Sequence, residues 1–192
     1  GAAAASSLLA FGRRAMAQDD ELRVAVLGIN GRGTAHISAF MNLPGCRVAA
    51  LCDPDETLFA SRAEAITSAG HPKPKFYADI RDVLEDDEID VLSVATPNHW
   101  HCLATIWGCQ AGKDVYVEKP LSWGIWEGRQ AVKAARKYGR IVQVGTQGRS
   151  DGRMREAIAR FRRGVVGSPV MARATCFKPR ASIGFQPIEE PP

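Results

Sequence analysis

Several glycines at the end of an apolar run near residue 28 have a spacing that suits phosphate binding. The run Leu22–Gly28 is typical of a parallel strand buried on both faces, and it leads into Gly28-Ile29-Asn30-Gly31-Arg32-Gly33. A glycine turn between a strand and a helix lets the backbone approach a phosphate, which the free N–H groups at the helix start then bind. The sequence therefore predicts a dinucleotide-binding turn at this place.

The turn departs from the usual G-x-G-x-x-G pattern at one position. Gly28 and Gly33 fit the first and third glycines, but Asn30 stands where the second glycine normally lets the backbone approach the pyrophosphate. Asparagine tolerates left-handed backbone better than most residues, and Gly31 can take over the duty one residue later. We therefore expect five residues of the turn to contact the cofactor, namely Gly28, Asn30, Gly31, Arg32 and Gly33.

A carboxylate follows the second apolar run. Asp53 comes directly after Arg47–Cys52, 20 residues past Gly33. A carboxylate at this place accepts hydrogen bonds from the hydroxyls of the adenosine ribose and repels a 2′-phosphate. It therefore favours NAD over NADP as the cofactor. A second interpretation, compatible with the first, makes Asp53 a helix cap before Pro54.

Strands and helices alternate in the predicted secondary structure. Strands are predicted at 22–28, 47–52, 76–77, 90–95, 114–117, 141–144 and 169–177. Helices are predicted at 34–42, 53–68, 80–84, 97–111, 122–138 and 151–163, with Asn98 capping the fourth and Gly139 ending the fifth. The alternation predicts an α/β fold, a Rossmann-type doubly wound parallel sheet that binds ligands at the carboxyl ends of its strands.

Three further motifs follow the ends of predicted strands. They are Ala95-Thr96-Pro97-Asn98-His99-Trp100-His101, Glu118-Lys119-Pro120 and Gln143-Val144-Gly145-Thr146-Gln147. Together with Gly28–His36 they resemble the Gfo/Idh/MocA oxidoreductases, the glucose–fructose oxidoreductase and inositol dehydrogenase family, over roughly Leu22–Gly184. The resemblance implies a Rossmann domain followed by an α/β domain whose open sheet carries the substrate, a sugar or polyol, and the interface of a homo-oligomer.

The resemblance also implies roles for individual residues. Lys119 matches the active-site lysine of the family, which lies beside the nicotinamide, where an ammonium stabilises charge on the reacting oxygen. The other residues expected around the cofactor are Thr96, Pro97, Asn98, His101, Glu118, Lys119, Pro120 and Gln147. Two alternatives stay open: Lys119 as a surface lysine, and His101 as a packing residue or helix cap.

The predicted domains are a signal-peptide remnant at 1–17, an NAD(P)-binding Rossmann domain at 22–147 and the truncated start of a substrate and dimerisation domain at 148–192. A start at Gly1 rather than Met and a loop-like end at Glu189–Pro192 suggest a fragment. In the family an aspartate and a histidine of the second domain assist proton transfer, yet no histidine follows His101 in this sequence. We therefore expect this fragment to bind NAD without completing catalysis.

The N-terminal segment suggests export. Ala2–Phe11 is apolar but too short to span a bilayer, and Ala15-Met16-Ala17 then offers the small-x-small pattern of a signal-peptidase site. The expectation is a periplasmic protein, with the twin-arginine route as an option because cofactor proteins often fold before export. Arg13-Arg14 lie on the wrong side of the apolar run to be that signal. A cytoplasmic protein with an N-terminal tail is the alternative.

Composition excludes several classes of protein. With 192 residues, 45% of them hydrophobic and 24% charged, the chain is typical of a soluble globular protein. The formal net charge of +4 is mild, and the arginines between 149 and 163 are interpreted as a solvated helix face rather than a nucleic-acid surface. The five cysteines form no C-x-x-C pair, so we expect reduced thiols and no metal site.

The sequence is compatible with three functions of the parent protein. The leading one is hydride transfer between NAD and a hydroxyl of a sugar or cyclitol. The second is an exported NAD-dependent glycosidase that oxidises the sugar transiently, eliminates the aglycone and regenerates the cofactor. The third is a non-catalytic cofactor-binding protein.

Overall fold

The computed structural model describes residues 21–175, in which six strands form one parallel sheet. The strands are β1 (Leu22–Leu27), β2 (Cys46–Cys52), β3 (Lys75–Tyr77), β4 (Val91–Val94), β5 (Asp114–Glu118) and β6 (Val142–Gly145). Their order is β3-β2-β1-β4-β5-β6, and every neighbouring pair is parallel. The chain therefore winds outward in both directions from β1 and β4, which confirms the predicted doubly wound Rossmann-type sheet.

Helices connect the strands on both faces. They are α1 (Arg32–Met41), α2 (Thr57–Ser68), α3 (Ile80–Glu85), α4 (Asn98–Gln110), α5 (Ile125–Tyr138) and, after a 3₁₀ turn at Gln147–Ser150, α6 (Gly152–Arg162). Alternate residues of β1 face opposite sides of the sheet. Val24 and Val26 pack with residues of α1 and α2, whereas Ala25 and Leu27 pack with residues of α3, α4 and α5. The inner strands are apolar on both faces because helices cover both faces.

Two predicted helix starts lie several residues too early, and one predicted cap is wrong. Asp53 does not open α2; it begins an Asx turn in which its carboxylate accepts the N–H of Asp55, and the helix starts only at Thr57. Asn98 is not a cap, because Pro97 holds the capping position of α4 and makes no side-chain bond. The helix predicted from 122 begins at Ile125, where Glu127 reaches back to the N–H of Gly124.

Two other predictions concern helix and strand ends. Gly139 ends α5 with a left-handed backbone (φ 64°), as predicted. The strand predicted at 169–177 is wrong over its described part, since 169–175 pair with no strand and are exposed; the remainder lies outside the described residues. An extended segment is stabilised as a strand by pairing, and this segment pairs with none of the described strands.

The segments outside the sheet differ in how much of them is buried. None of the residues of α6 is buried, and Met154, Ile158 and Phe161 expose apolar surface along one side of it. The predicted signal-peptide remnant at 1–17 lies outside the described residues. None of the helices within residues 21–175 combines the length and apolar character that a membrane crossing requires.

Candidate functional site

A pocket of about 820 Å³ lies at the carboxyl ends of β1, β2 and β4, where parallel sheets of this type bind ligands. Its lining residues come from the end of β1 and the glycine turn, from the end of β2 and the residues after it, from the segment before and at the start of α3, and from the loop after β4 with the first turns of α4. They are Leu27, Gly28, Asn30, Gly31, Cys52, Asp53, Pro54, Ala78, Asp79, Ile80, Ala95, Thr96, Pro97, Trp100 and Ala104.

The glycine turn is shaped by close backbone contacts. Gly28 has a φ of 78°, and a Cβ there would lie 2.8 Å from Cα of Thr96. A Cβ on Gly33 would lie 1.9 Å from the carbonyl oxygen of Gly28, so only glycine lets α1 start against the strand. These two glycines make the contacts for which the dinucleotide pattern requires them.

Gly31, rather than Asn30, adopts the special backbone conformation of the turn. Its φ is 49°, and no residue other than glycine among those described has a positive φ. Asn30 instead uses its side-chain oxygen to accept the N–H of Gly31 at 2.9 Å. A Cβ on Gly31 would meet nothing within 4 Å, so the backbone here stays open to an approaching phosphate.

Asp53 ties the end of β2 to the glycine turn. One carboxylate oxygen accepts the N–H of Ile29 at 2.9 Å, and the other accepts the N–H of Asp55 at 3.0 Å. Because an ionised carboxylate has about four acceptor sites, it retains capacity for a ligand hydroxyl in the pocket. Asp53 thus holds the turn together while it lines the pocket.

Thr96 supplies an unpaired polar atom to the same pocket. Its Oγ1 is buried and has no hydrogen-bond partner, alone among buried side-chain polar atoms of the described residues. Such a group costs free energy unless a ligand satisfies it. The orphaned hydroxyl, the close backbone at Gly28 and the positive end of the α1 dipole together fit a dinucleotide.

His101 lies behind the pocket wall. It is 1% exposed, and its ring nitrogens lie against two carbonyl oxygens: Nδ1 is 2.7 Å from that of Pro120 and Nε2 is 2.8 Å from that of Thr96. The imidazole therefore connects the loop after β4 to the loop after β5. The alternative of a packing residue describes this position better than direct contact with the pocket.

Lys119 follows β5 and is exposed. Its backbone N–H donates to Glu118 Oε2 at 3.3 Å, while its ammonium bonds to none of the described residues. The peptide bond to Pro120 is cis. The lysine side chain is thus free to reach a ligand at the carboxyl edge of the sheet.

Glu118 is 6% exposed and is surrounded by donors. Its Oε1 accepts Arg32 Nε at 2.7 Å and lies 3.1 Å from His36 Nε2, and it also accepts the side-chain amide of Gln147. Burial alone would raise the pKa of Glu118, but the hydrogen bonds from Arg32, His36 and Gln147 outweigh it and lower the pKa to about 2.

The structure divides the predicted site residues into two groups. Those that line the pocket are Gly28, Asn30, Gly31, Asp53, Thr96 and Pro97. Those placed around it, at the start of α1 and α4 or toward β5 and β6, are Arg32, Gly33, Asn98, His101, Glu118, Lys119, Pro120 and Gln147.

Several lining residues were not predicted as site residues. Trp100 and Ala104 come from α4, and Ala78, Asp79 and Ile80 come from the segment before and at the start of α3. They reach the pocket only because α3 and α4 pack on the same face of the sheet. Trp100 stands in the motif Ala95–His101 without an assigned role, and no motif marks the other four, whose spacing is that of ordinary packing positions.

The described cysteines are small buried thiols. Cys46, Cys52, Cys102 and Cys109 are free and buried, and burial raises the pKa of Cys52 to about 12, so that it stays protonated at neutral pH. Cys176 lies outside the described residues. Within the described part of the chain, no group of three or more His, Cys, Asp or Glu side chains could hold a metal ion.

Residues 22–146 match the sequence profile GFO_IDH_MocA, described as "Oxidoreductase family, NAD-binding Rossmann fold". The chain belongs to this family. NAD is therefore the cofactor of the fold, as the sequence predicted.

Similar proteins include glycosidases and dehydrogenases. A glycosyl hydrolase family 109 protein of Shewanella pealeana is 33% identical over 122 residues, which cover 62% of this chain and 27% of that protein. Myo-inositol 2-dehydrogenase of Lactobacillus plantarum matches with a TM-score of 0.69 and 26% identity over 77% of this chain and 42% of that one. The WlbA dehydrogenase of Bordetella pertussis, solved with NADH and UDP-GlcNAcA, matches with a TM-score of 0.67 and 26% identity over 77% and 43%.

Proposed function

We propose that this chain is the cofactor-binding part of an enzyme that transfers hydride between NAD and a hydroxyl of a sugar or cyclitol. The observation that carries the proposal is the pocket at the carboxyl ends of β1, β2 and β4, with its orphaned Thr96 hydroxyl; the exposed Lys119 follows β5 at the same edge of the sheet. The chain spans about a quarter of the glycosyl hydrolase it matches and less than half of the dehydrogenases. The activity therefore belongs to a longer protein.

Each residue of the site has a distinct task in this proposal. The turn at Gly28–Gly33 and the start of α1 bind the diphosphate, and the carboxylate of Asp53 binds the adenosine ribose. Bound NAD supplies the acceptor or donor of the hydride. The Lys119 ammonium hydrogen-bonds the reacting hydroxyl and stabilises negative charge on its oxygen as the C–H bond changes. The proton of that hydroxyl requires a base outside this chain, so the chain alone binds NAD without turnover.

Calorimetric titration of the chain with NAD and NADP tests the cofactor assignment. We expect NAD to bind more tightly than NADP, and Asp53→Asn to reduce that preference because an amide no longer repels a 2′-phosphate. Lys119→Ala serves as the control, since the lysine acts on substrate and the variant should bind NAD like the wild type. A wild-type chain that binds neither nucleotide would refute the proposal, provided that circular dichroism shows it folded.

A second candidate is an NAD-dependent glycosidase, and the 33% identity to a glycosyl hydrolase family 109 protein favours it. In that reaction the cofactor oxidises a sugar hydroxyl, the aglycone leaves, and the hydride returns. The full-length protein distinguishes the two, since a dehydrogenase accumulates NADH on a free sugar whereas a glycosidase releases aglycone without net NADH. NAD binding with neither activity would instead identify a non-catalytic cofactor-binding protein.

Export and oligomerisation are separate proposals. The small-x-small pattern at Ala15-Met16-Ala17 supports export to the periplasm, and fractionation of cells that express the full-length protein tests it. The family resemblance supports a homo-oligomeric parent protein. Light scattering on the full-length protein measures its mass directly, and a monomer would contradict this assembly.

A further inference from the structure

The carboxylate of Glu118 accepts hydrogen bonds from four groups, three of which are remote from it in the sequence. Arg32 is the first residue of α1, His36 lies one turn further along that helix, and Gln147 begins the 3₁₀ turn after β6. The fourth group is the backbone N–H of Lys119. One buried side chain thus joins the phosphate-binding helix to the segment that carries the candidate catalytic lysine.

All four groups act as donors. An ionised carboxylate accepts about four hydrogen bonds and donates none, so it matches this environment, whereas the amide of glutamine would turn a donor toward one of the donors. Burial lowers the pKa of His36 more than the contact with Glu118 raises it, so the imidazole is neutral. Its proton lies on Nε2, facing Glu118, and Nδ1 accepts from the hydroxyl of Ser93 at 2.8 Å.

Glu118 fixes the direction of Arg32. The sheet order places β4 between β1, which precedes Arg32, and β5, which ends in Glu118. Arg32 therefore extends from the glycine turn away from Asp53, across the end of β4 toward β5. The side chain is 49% exposed, its Nε is occupied by Glu118, and its two terminal nitrogens have no partner among the described residues.

We propose that Glu118 is a positioning residue that holds Arg32 against the second phosphate of the dinucleotide, the one that bears the nicotinamide ribose. The inference rests on the proposed function, because it assigns residues to the NAD site described above. The first phosphate, next to adenosine, is bound by the glycine turn and the start of α1. The terminal guanidinium nitrogens of Arg32 present a planar pair of donors to the phosphate beyond it.

Ligands that differ by one phosphate test the assignment. We compare the binding of AMP, which has only the first phosphate, with that of ADP-ribose, which has both, by calorimetry on the whole chain. Arg32→Met should weaken ADP-ribose and NAD about tenfold and leave AMP unchanged within about twofold. Glu118→Gln should weaken the same two ligands by a smaller factor, since Arg32 remains but loses its fixed direction. Arg129→Met removes an exposed arginine of α5 and controls for net charge.

The double variant separates positioning from a general loss of structure. If Glu118 acts through Arg32, Arg32→Met with Glu118→Gln binds ADP-ribose as Arg32→Met does, so the two effects do not add. Glu118→Asp, which keeps an acceptor-only carboxylate, should recover part of the loss. Equal weakening of AMP and ADP-ribose, or additive effects, would overturn the inference while leaving the NAD site intact. A wild-type chain that binds no nucleotide would instead remove the proposed function and this inference with it.

Discussion

Two lysines lie at opposite ends of β5 and have opposite environments. Lys113 precedes the strand, is 4% exposed, and donates to the carbonyl oxygens of Asp86 and Ile89 at 2.7 and 3.0 Å. Burial lowers its pKa, although nearby aspartates partly counteract this. Lys119 follows the strand, is exposed, and its ammonium has no partner among the described residues.

The two ends of the sheet differ in the same way. At the amino end, charged groups satisfy one another or the backbone, as in the paired contacts of Arg23 with Asp90. At the carboxyl end, the Glu118 carboxylate is equally well bonded, but the Thr96 hydroxyl and the terminal nitrogens of Arg32 are left over. Buried charge is therefore no marker of a site in this fold. A hydrogen-bonding group left without a partner at a pocket, such as the Thr96 hydroxyl, marks the site instead.

The largest effect on stability is expected from Gly33→Ala, at the carboxyl end of the sheet. The new Cβ would lie 1.9 Å from the carbonyl oxygen of Gly28, so the start of α1 must move away from β1. We expect a loss of about 4 kcal/mol in the free energy of unfolding and loss of NAD binding. Chemical denaturation measures the first. Gly124→Ala is the matched control, because its Cβ meets nothing within 4 Å, and equal stability of the two variants would contradict the close contact.

Lys113→Met should have the next largest effect on stability, and it tests the amino end of the sheet. The variant removes the ammonium from both carbonyl oxygens; that of Asp86 keeps the N–H of Ile89, but that of Ile89 loses the Lys113 donor, which costs about 2 kcal/mol in the free energy of unfolding. NAD binding by the folded protein should not change, since Lys113 is remote from the pocket. Lys133→Met, an exposed lysine on α5, should stay within about 0.5 kcal/mol of wild type. If Lys113→Met lowered NAD affinity, it would be wrong that the amino end of the sheet serves stability and the carboxyl end serves binding.

Asp86 makes the stability that the amino end of the sheet contributes depend on pH. Burial disfavours its ionised form, but hydrogen bonds from the Tyr77 hydroxyl and the Lys75 ammonium outweigh burial and lower the pKa of Asp86 to about 2. A depressed pKa stabilises the fold above the usual value near 4, and this stability disappears as pH falls through about 2.

The corresponding variant is Asp86→Asn. Its deficit in unfolding free energy relative to wild type should be about 1 kcal/mol at pH 6 and should shrink toward pH 2. The neighbour Asp87 is exposed, so Asp87→Asn should show no such trend. A deficit for Asp86→Asn that stays constant with pH would show that the carboxylate charge contributes nothing.

Lys119→Met should have the smallest effect on stability and the sharpest effect on function. Because its ammonium contacts none of the described residues, the free energy of unfolding should change by less than about 0.5 kcal/mol. Hydride transfer by the full-length protein should fall by a factor of about 100 or more, by analogy with the loss of other groups that stabilise charge on a reacting oxygen. Full activity in this variant would make Lys119 a surface lysine and end the comparison with Lys113.

The periodic features of the sequence predicted the layout of the fold. Apolar runs located the inner strands β1, β2 and β4, because a strand covered on both faces must be apolar throughout, and the alternation of strands with helices predicted the parallel, doubly wound arrangement. The helix start predicted at Asp53 and the cap predicted at Asn98 are wrong. Both residues are common at helix starts, yet one forms a turn and binds the glycine loop while the other follows the capping position.

The sequence by itself determined the glycine turn, the carboxylate after β2 and a lysine after β5, because each is fixed by its distance along the chain from a strand end. Only the tertiary structure decided which remote groups meet. Glu118 bonds Arg32 from 86 residues away, His101 bridges Thr96 and Pro120, and Lys113 becomes buried while Lys119 does not. Periodicity encodes which side of an element faces the core. The partner of a buried polar group depends on how separate elements pack, and no local pattern records that.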